Sequence, residues 1–218
     1  MPSSPTPPTP TERVVLRIIA GGALLVAALA LVGAVFGTVS LATDERVAVP
    51  GMLIGNAETP EFTEKSGAIV EARYESVGIE VTGLSGEARA WLVTEHLSAA
   101  LLTVGLGLVV AWVATRLAAG RPFVRSATIA LGVAAILVTA SGLLEQAAAA
   151  IARAEVVDFL GSRDITAGGT PDNPSYEGFV GFGLNLDLAP LAWGMALIVV
   201  AGAFELGQRL QRDTEGLV

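Results

Sequence analysis

The chain has 218 residues, 52 % of them apolar and 16 % charged, with a net charge of −8 and a mean hydropathy of +0.63. Soluble domains carry about 25 % charge, so an ordinary water-soluble domain is excluded. The absence of cysteine removes disulfides, zinc–thiolate sites and cysteine nucleophiles, and the acidic balance argues against direct nucleic-acid binding, which takes clustered positive charge.

Residues 1–12 contain five prolines and no apolar periodicity, the composition of a disordered leader. From Ile18 to Ala42 no charge occurs for 25 residues. A span of about 30 Å takes about 20 apolar residues, so a first transmembrane helix is expected over 13–42. The apolar stretch of a signal peptide is about 7–15 residues long, so this helix is expected to be retained. Cleavage after the small-x-small sequence Ser40-Leu41-Ala42 is the alternative. Gly33-Ala-Val-Phe-Gly37 is a GxxxG face that allows close helix approach, within the chain or between copies in a homo-oligomer.

Residues 43–92 read as a β-rich segment. Arg46-Val-Ala-Val-Pro50 resembles a short strand stopped by proline. Residues 68–74 alternate polar and apolar positions, and Val77, Ile79 and Val81 repeat the period. A hairpin with a third strand beside it is the simplest arrangement, leaning on the helices for stability. Ser85 is placed to cap a second helix that enters the bilayer near Trp91.

The second span is expected over 93–117, with Gly105 and Gly107 as packing space, followed by a turn at 118–122. The third is expected over 123–152 and the fourth over 187–210, before a tail at 211–218. Pro122 and Pro190 fall where the third and fourth helices begin, the place a helix tolerates proline best. Between them, 153–186 reads as an irregular loop. Its segment 176–184 is apolar and glycine-broken, suited to resting on the bilayer surface or covering the end of the bundle.

The fold class is therefore an all-α polytopic membrane protein, with four transmembrane helices and a small extracytoplasmic β-rich insertion between helices 1 and 2. Seven arginines lie in the leader, the 118–122 side and the tail, within about forty residues. Six basic and sixteen acidic residues lie in the two long connections. The positive-inside rule puts both termini in the cytoplasm. Twelve arginines against one lysine, with heavy alanine and glycine use, fit a bacterial coding bias and hence the bacterial cytoplasmic membrane.

Ionisable groups in or beside spans are the default functional candidates. Glu95, His96, Glu145, Gln146, Asn185 and Asp187 fall at one depth and form a candidate outer polar layer, able to bind a divalent cation or sense pH. The plainer reading is that they mark helix ends at the interface. No metal-ligand spacing is present. At the inner end Arg17, Arg116 and Glu205 are candidates for ion pairing that holds three helices in register. Trp91, Trp112 and Trp193 read as interfacial belt residues. No P-loop, dinucleotide fingerprint or G-x-S-x-G occurs. Ser141-Gly142 is similar to part of a membrane serine protease dyad, but the single histidine is Glu95's neighbour at an outer interface, so neither an enzyme nor a cofactor is expected.

Two short stretches carry a resemblance. The turn Gly120-Arg-Pro122-Phe123 precedes the third span, and the closing segment holds Phe204, Gly207 and Leu210 in an F-x-x-G-x-x-L spacing. With four spans and a long first outer connection, the chain resembles the bacterial membrane family catalogued as domain of unknown function 2975. That family often carries asparagine shortly after the turn, where this chain has Val124-Arg-Ser-Ala127. Its genes commonly neighbour one for a small helix-turn-helix regulator. The resemblance thus implies a non-catalytic membrane sensor or regulatory partner of such a regulator. The residues themselves leave two alternatives: a small transporter or transporter subunit using the outer carboxylate and histidine layer, or a structural subunit of a membrane complex.

Overall fold

A computed structural model describes residues 9–57, 76–119, 123–161, 166–170, 173–179 and 186–215. Four long helices dominate them: α1 Pro10–Thr43, α2 Gly86–Ala118, α3 Phe123–Leu160 and α4 Ala189–Glu215. Each contains a window long and apolar enough to cross a membrane. Four strands accompany the helices: β1 Arg46–Ala57, β2 Ser76–Thr82, β3 Thr166–Thr170 and β4 Asn173–Phe179.

The helices outrun their expected limits. α1 begins at Pro10 rather than 13 because Thr9 and Glu12 form a reciprocal cap. The Thr9 amide donates to Glu12 Oε2 at 2.7 Å and the Glu12 amide to Thr9 Oγ1 at 3.3 Å, with proline at the first helical position. Residues 10–12 of the expected disordered leader are thus helical. α2 starts at Gly86, where Ser85 Oγ accepts from the Ala88 amide at 3.2 Å, as the sequence anticipates. α3 continues eight residues past 152 and stops at Gly161, whose φ of +71° is the left-handed conformation that ends helices.

The chain divides into two compact units. The first comprises Met1–Phe36, His96–Glu145 and Leu186–Val218, the apolar lengths of the helices. Its buried positions are small: Ala20, Ala27 and Ala34 on α1, Ala111 and Ala114 on α2, Ala127, Ala130, Ala134 and Ala135 on α3, and Ala201 on α4. Backbones approach closely at glycines. A Cβ on Gly107 would stand 3.0 Å from the Ala23 carbonyl oxygen, one on Gly105 would stand 2.7 Å from Leu137, and one on Gly142 2.6 Å from Pro190. One on Gly194 would meet Thr139 Oγ1. These contacts make successive helices neighbours, with Gly105 and Gly107 serving as the packing space expected of them. Small residues at such crossings are how helices pack where lipid supplies no hydrophobic drive. The large apolar side chains point outward, Phe36 72 % and Ile136 68 % exposed.

The second unit, Gly37–Glu95 and Gln146–Asn185, holds a four-stranded sheet in the order β2-β1-β4-β3, antiparallel at every pairing. β1 is not stopped by Pro50. Its register with β2 slips between Val49 and Met52, a bulge that accommodates a residue without an N–H donor. Gly51, at φ +70°, supplies the left-handed conformation there. β2 matches the expected 77–81 period, with Val77, Ile79 and Val81 inward. The strand anticipated at 68–74 lies outside the described residues. The partner on the other edge of β1 comes instead from the 153–186 connection, where Ile54 faces Phe179 and Asn56 faces Glu177. Residues 176–179 of the expected irregular loop are thus strand. Backbone pairing to β1, which alternation along 166–179 does not encode, fixes them there.

One apolar core supports this sheet: Val47, Val49, Met52 and Val81 from the strands, Phe179 from β4, Ala88 and Leu92 from α2, and Ala152, Val156 and Val157 from α3. Trp91, partly buried, packs against that core.

Candidate functional site

Two arginines organise the polar side of the sheet unit. Arg153, on the last turns of α3, places Nη2 3.3 Å from Glu95 Oε1 on α2 and donates from Nε to the Pro50 carbonyl at 3.3 Å. The guanidinium therefore ties two helices to the bulge of β1, the geometry its planar fork allows. A Cβ on Gly51 would stand 3.2 Å from Arg153 Nη2, so glycine there meets both the backbone turn and the close approach. Arg89, in the first turn of α2, donates to Leu41 O at 2.8 Å, Asp44 O at 2.9 Å and Leu84 O at 3.3 Å. The carbonyls at the end of α1 have no intrahelical partner, and a cation there also meets the negative end of the helix dipole.

The expected outer polar layer is distributed between these features. Glu95 and Gln146 belong to the sheet unit, and His96, Glu145 and Asp187 to the helix unit. Glu95 is engaged by Arg153. Asp187 Oδ1 accepts from the Ala189 amide at 2.9 Å, a helix cap. Asn185 lies outside the described residues. His96 Nε2 and Ser141 Oγ are each buried without a hydrogen-bond partner, so no serine–histidine hydrogen bond forms. Among the described residues, no group of three or more His, Asp or Glu is arranged to hold a metal ion.

At the opposite end, Arg116 lies over the Trp112 ring, 4.9 Å from its centroid, a cation–π contact within α2. Glu205, on α4, belongs to the same unit as Arg17 and Arg116. Gly33 has nothing within 4 Å of a Cβ position, so this end of the GxxxG face meets no helix among the described residues. Gly37 lies one turn further along α1. Of the family-like positions, Gly120 and Pro122 lie outside the described residues, Phe123 opens α3, and Phe204, Gly207 and Leu210 lie on α4.

Sequence reasoning counted Arg89 and Arg153 only as outer positive charges. A usable signal for Arg153 was present: Ala152, Val156, Val157 and Leu160 recur at helical spacing, which carries α3 past its apolar run and lands Arg153 beside a buried stripe. Set against family models, characterised proteins and solved structures, the chain gives no match.

Proposed function

We propose that the chain is a non-catalytic sensor of the bacterial cytoplasmic membrane, whose folded sheet unit lies outside the cell and whose termini meet a small helix-turn-helix regulator inside it. One observation carries this reading. α2 and α3 each run unbroken through both units, with no proline inside Gly86–Ala118 or Phe123–Leu160, and the same helices supply Ala88, Leu92, Ala152 and Val156 to the core beneath the sheet. Kinks need a cause such as proline, so a ligand that reshapes the sheet core acts on segments that are also the spans. The exposed large apolar side chains of the helix unit support the bilayer as its solvent, since soluble chains rarely carry so much contiguous apolar surface.

The carboxylates named for transport serve structural ends in Glu95 and Asp187, which favours sensing over the transporter alternative. The regulator itself is supported by the resemblance to the 2975 family. In-cell crosslinking and affinity purification of the tagged chain is expected to recover a small helix-turn-helix protein, and to lose it when residues 208–218 are removed. Recovery of membrane subunits alone, or of nothing, overturns the regulatory reading.

A further inference from the structure

Within the helix unit, the end where α1 begins and α4 finishes encloses an open cavity of about 440 Å³. Leu16 and Ile19 line it from α1, Val113 from α2, Ala130 and Ala134 from α3 and Phe204 from α4. Every lining side chain is hydrocarbon. The void exists because α3 presents alanine at Ala127, Ala130 and Ala134, one turn apart on one face, where longer side chains would fill the space.

The cavity is open to its surroundings rather than sealed, and a groove without polar groups does not hold water, so in a bilayer hydrocarbon fills it. The rest of the unit shows the contrast: at Gly105, Gly142 and Gly194 even a methyl group lacks room. The dimensions point to one occupant. On α2 the lining runs from Leu106 to Leu117, about 16 Å at 1.5 Å per residue, which is half of a hydrocarbon core of about 30 Å. At roughly 30 Å³ for a water-sized group, the volume takes a chain on the order of fifteen methylenes. The chain also carries positive charge at this end: Arg13 and Arg17 flank Leu16 on α1, and Arg116 adjoins Leu117 on α2. Arginine beside an apolar groove suits a phosphate headgroup above a buried tail.

We propose that this cavity holds one acyl chain of an anionic phospholipid drawn from the adjoining leaflet. The proposal rests on the bilayer reading above, and gives the helix unit a lipid site distinct from its general lipid-facing surface. A lipid wedged between α2, α3 and α4 sits against the same two helices that reach the sheet core.

The test uses the full chain in nanodiscs of phosphatidylglycerol carrying a diazirine midway along one acyl chain, with labelled residues located by mass spectrometry. Label is expected on Val113, Ala130 and Ala134 as well as on the outward Val26 and Ile136. Ala130→Phe, or the milder Ala134→Leu if the first does not fold, is expected to cut labelling of the cavity residues about tenfold while leaving Ile136 labelled. Label on Val26 and Ile136 but not in the cavity overturns this inference and leaves the bilayer reading standing. Label on neither set overturns the bilayer reading beneath it. Cavity labelling by a photoreactive free fatty acid but not by the phospholipid overturns the choice of occupant.

Discussion

The two units of this chain bury different residues: the helix unit small ones alone, the sheet unit alanine together with valine, leucine, methionine and phenylalanine. In the helix unit the interior is alanine and glycine, while Ile18, Phe36, Ile136 and Val199 stand outside. In the sheet unit Met52, Val49 and Val156 are fully buried, and arginine and glutamate lie at the periphery. Leucine content alone does not account for this, because leucine is concentrated in the helix unit and yet is not what that unit buries. The solvent does. Where water surrounds the fold, removing large apolar surface from it drives assembly. Where lipid does, large side chains gain nothing by turning inward, and assembly rests on backbones that fit closely. A single polypeptide thus follows two packing rules, and the same substitution has different consequences on either side of the boundary.

The largest effect is expected in the sheet unit. Met52→Ala removes a fully buried side chain from the core beneath the sheet and should cost about 3 kcal/mol, from lost transfer energy plus the cavity left behind. Hydrogen exchange on the purified protein checks it, with faster exchange expected across β1 and β2. Unchanged protection would mean that the sheet is held by something other than this core.

Arg89→Ala comes next, at about 2 kcal/mol, because it strips a charged donor from three carbonyls. The loss should appear as fraying at the end of α1, around Leu41 to Asp44, and Arg89→Lys should restore only part of it, since an ammonium lacks the fork. Uniform destabilisation of all four helices would contradict the local capping role.

How far these features were legible depended on whether they are local. The four apolar runs announce themselves, because a bilayer requires length and hydropathy and nothing else. Ser85 as a cap and Val77, Ile79 and Val81 as a strand were legible for the same reason: cap and alternation are short-range patterns. β3 and β4 were not. The segments Thr166–Thr170 and Asn173–Phe179 hold glycine, proline and serine, poor strand formers; β4 is set by pairing with β1 over a hundred residues away, and β3 by pairing in turn with β4. The bond made by one candidate site residue was hidden for the same reason. Reading Glu95, His96, Glu145 and Asp187 as one layer used depth alone, whereas the bond that engages Glu95 comes from Arg153, 58 positions along.

That pair offers a finer test. Arg153 and Glu95 are each about a quarter exposed, so water screens them, and a double-mutant cycle with Arg153→Met and Glu95→Gln should return a coupling of about 0.5–1 kcal/mol. The cycle must be read on the sheet unit, by its hydrogen exchange, because both partners belong to it. A coupling near zero would reduce the arginine to its contact with the Pro50 carbonyl. Loss of function on Glu95→Gln with stability unchanged would instead return the carboxylate to the transport reading.

The smallest expected effect sharpens the comparison most. Gly33→Leu adds four heavy atoms to a position with open space around it. In water, an extra exposed leucine on a helix already this apolar would promote association. In lipid it should be neutral within about 0.5 kcal/mol for a single copy, because the new side chain merely replaces lipid contacts. The sequence nevertheless offers Gly33 and Gly37 as a close-approach face, and a second copy docking there would be displaced by leucine. Crosslinking of the chain in native membranes before and after the substitution decides between these. An unchanged pattern means the glycines face lipid alone. A dimer band lost with Gly33→Leu, with the fold of each copy intact, means that this face packs against another copy, where the helix unit's rule of small residues at crossings holds between chains as well as within one.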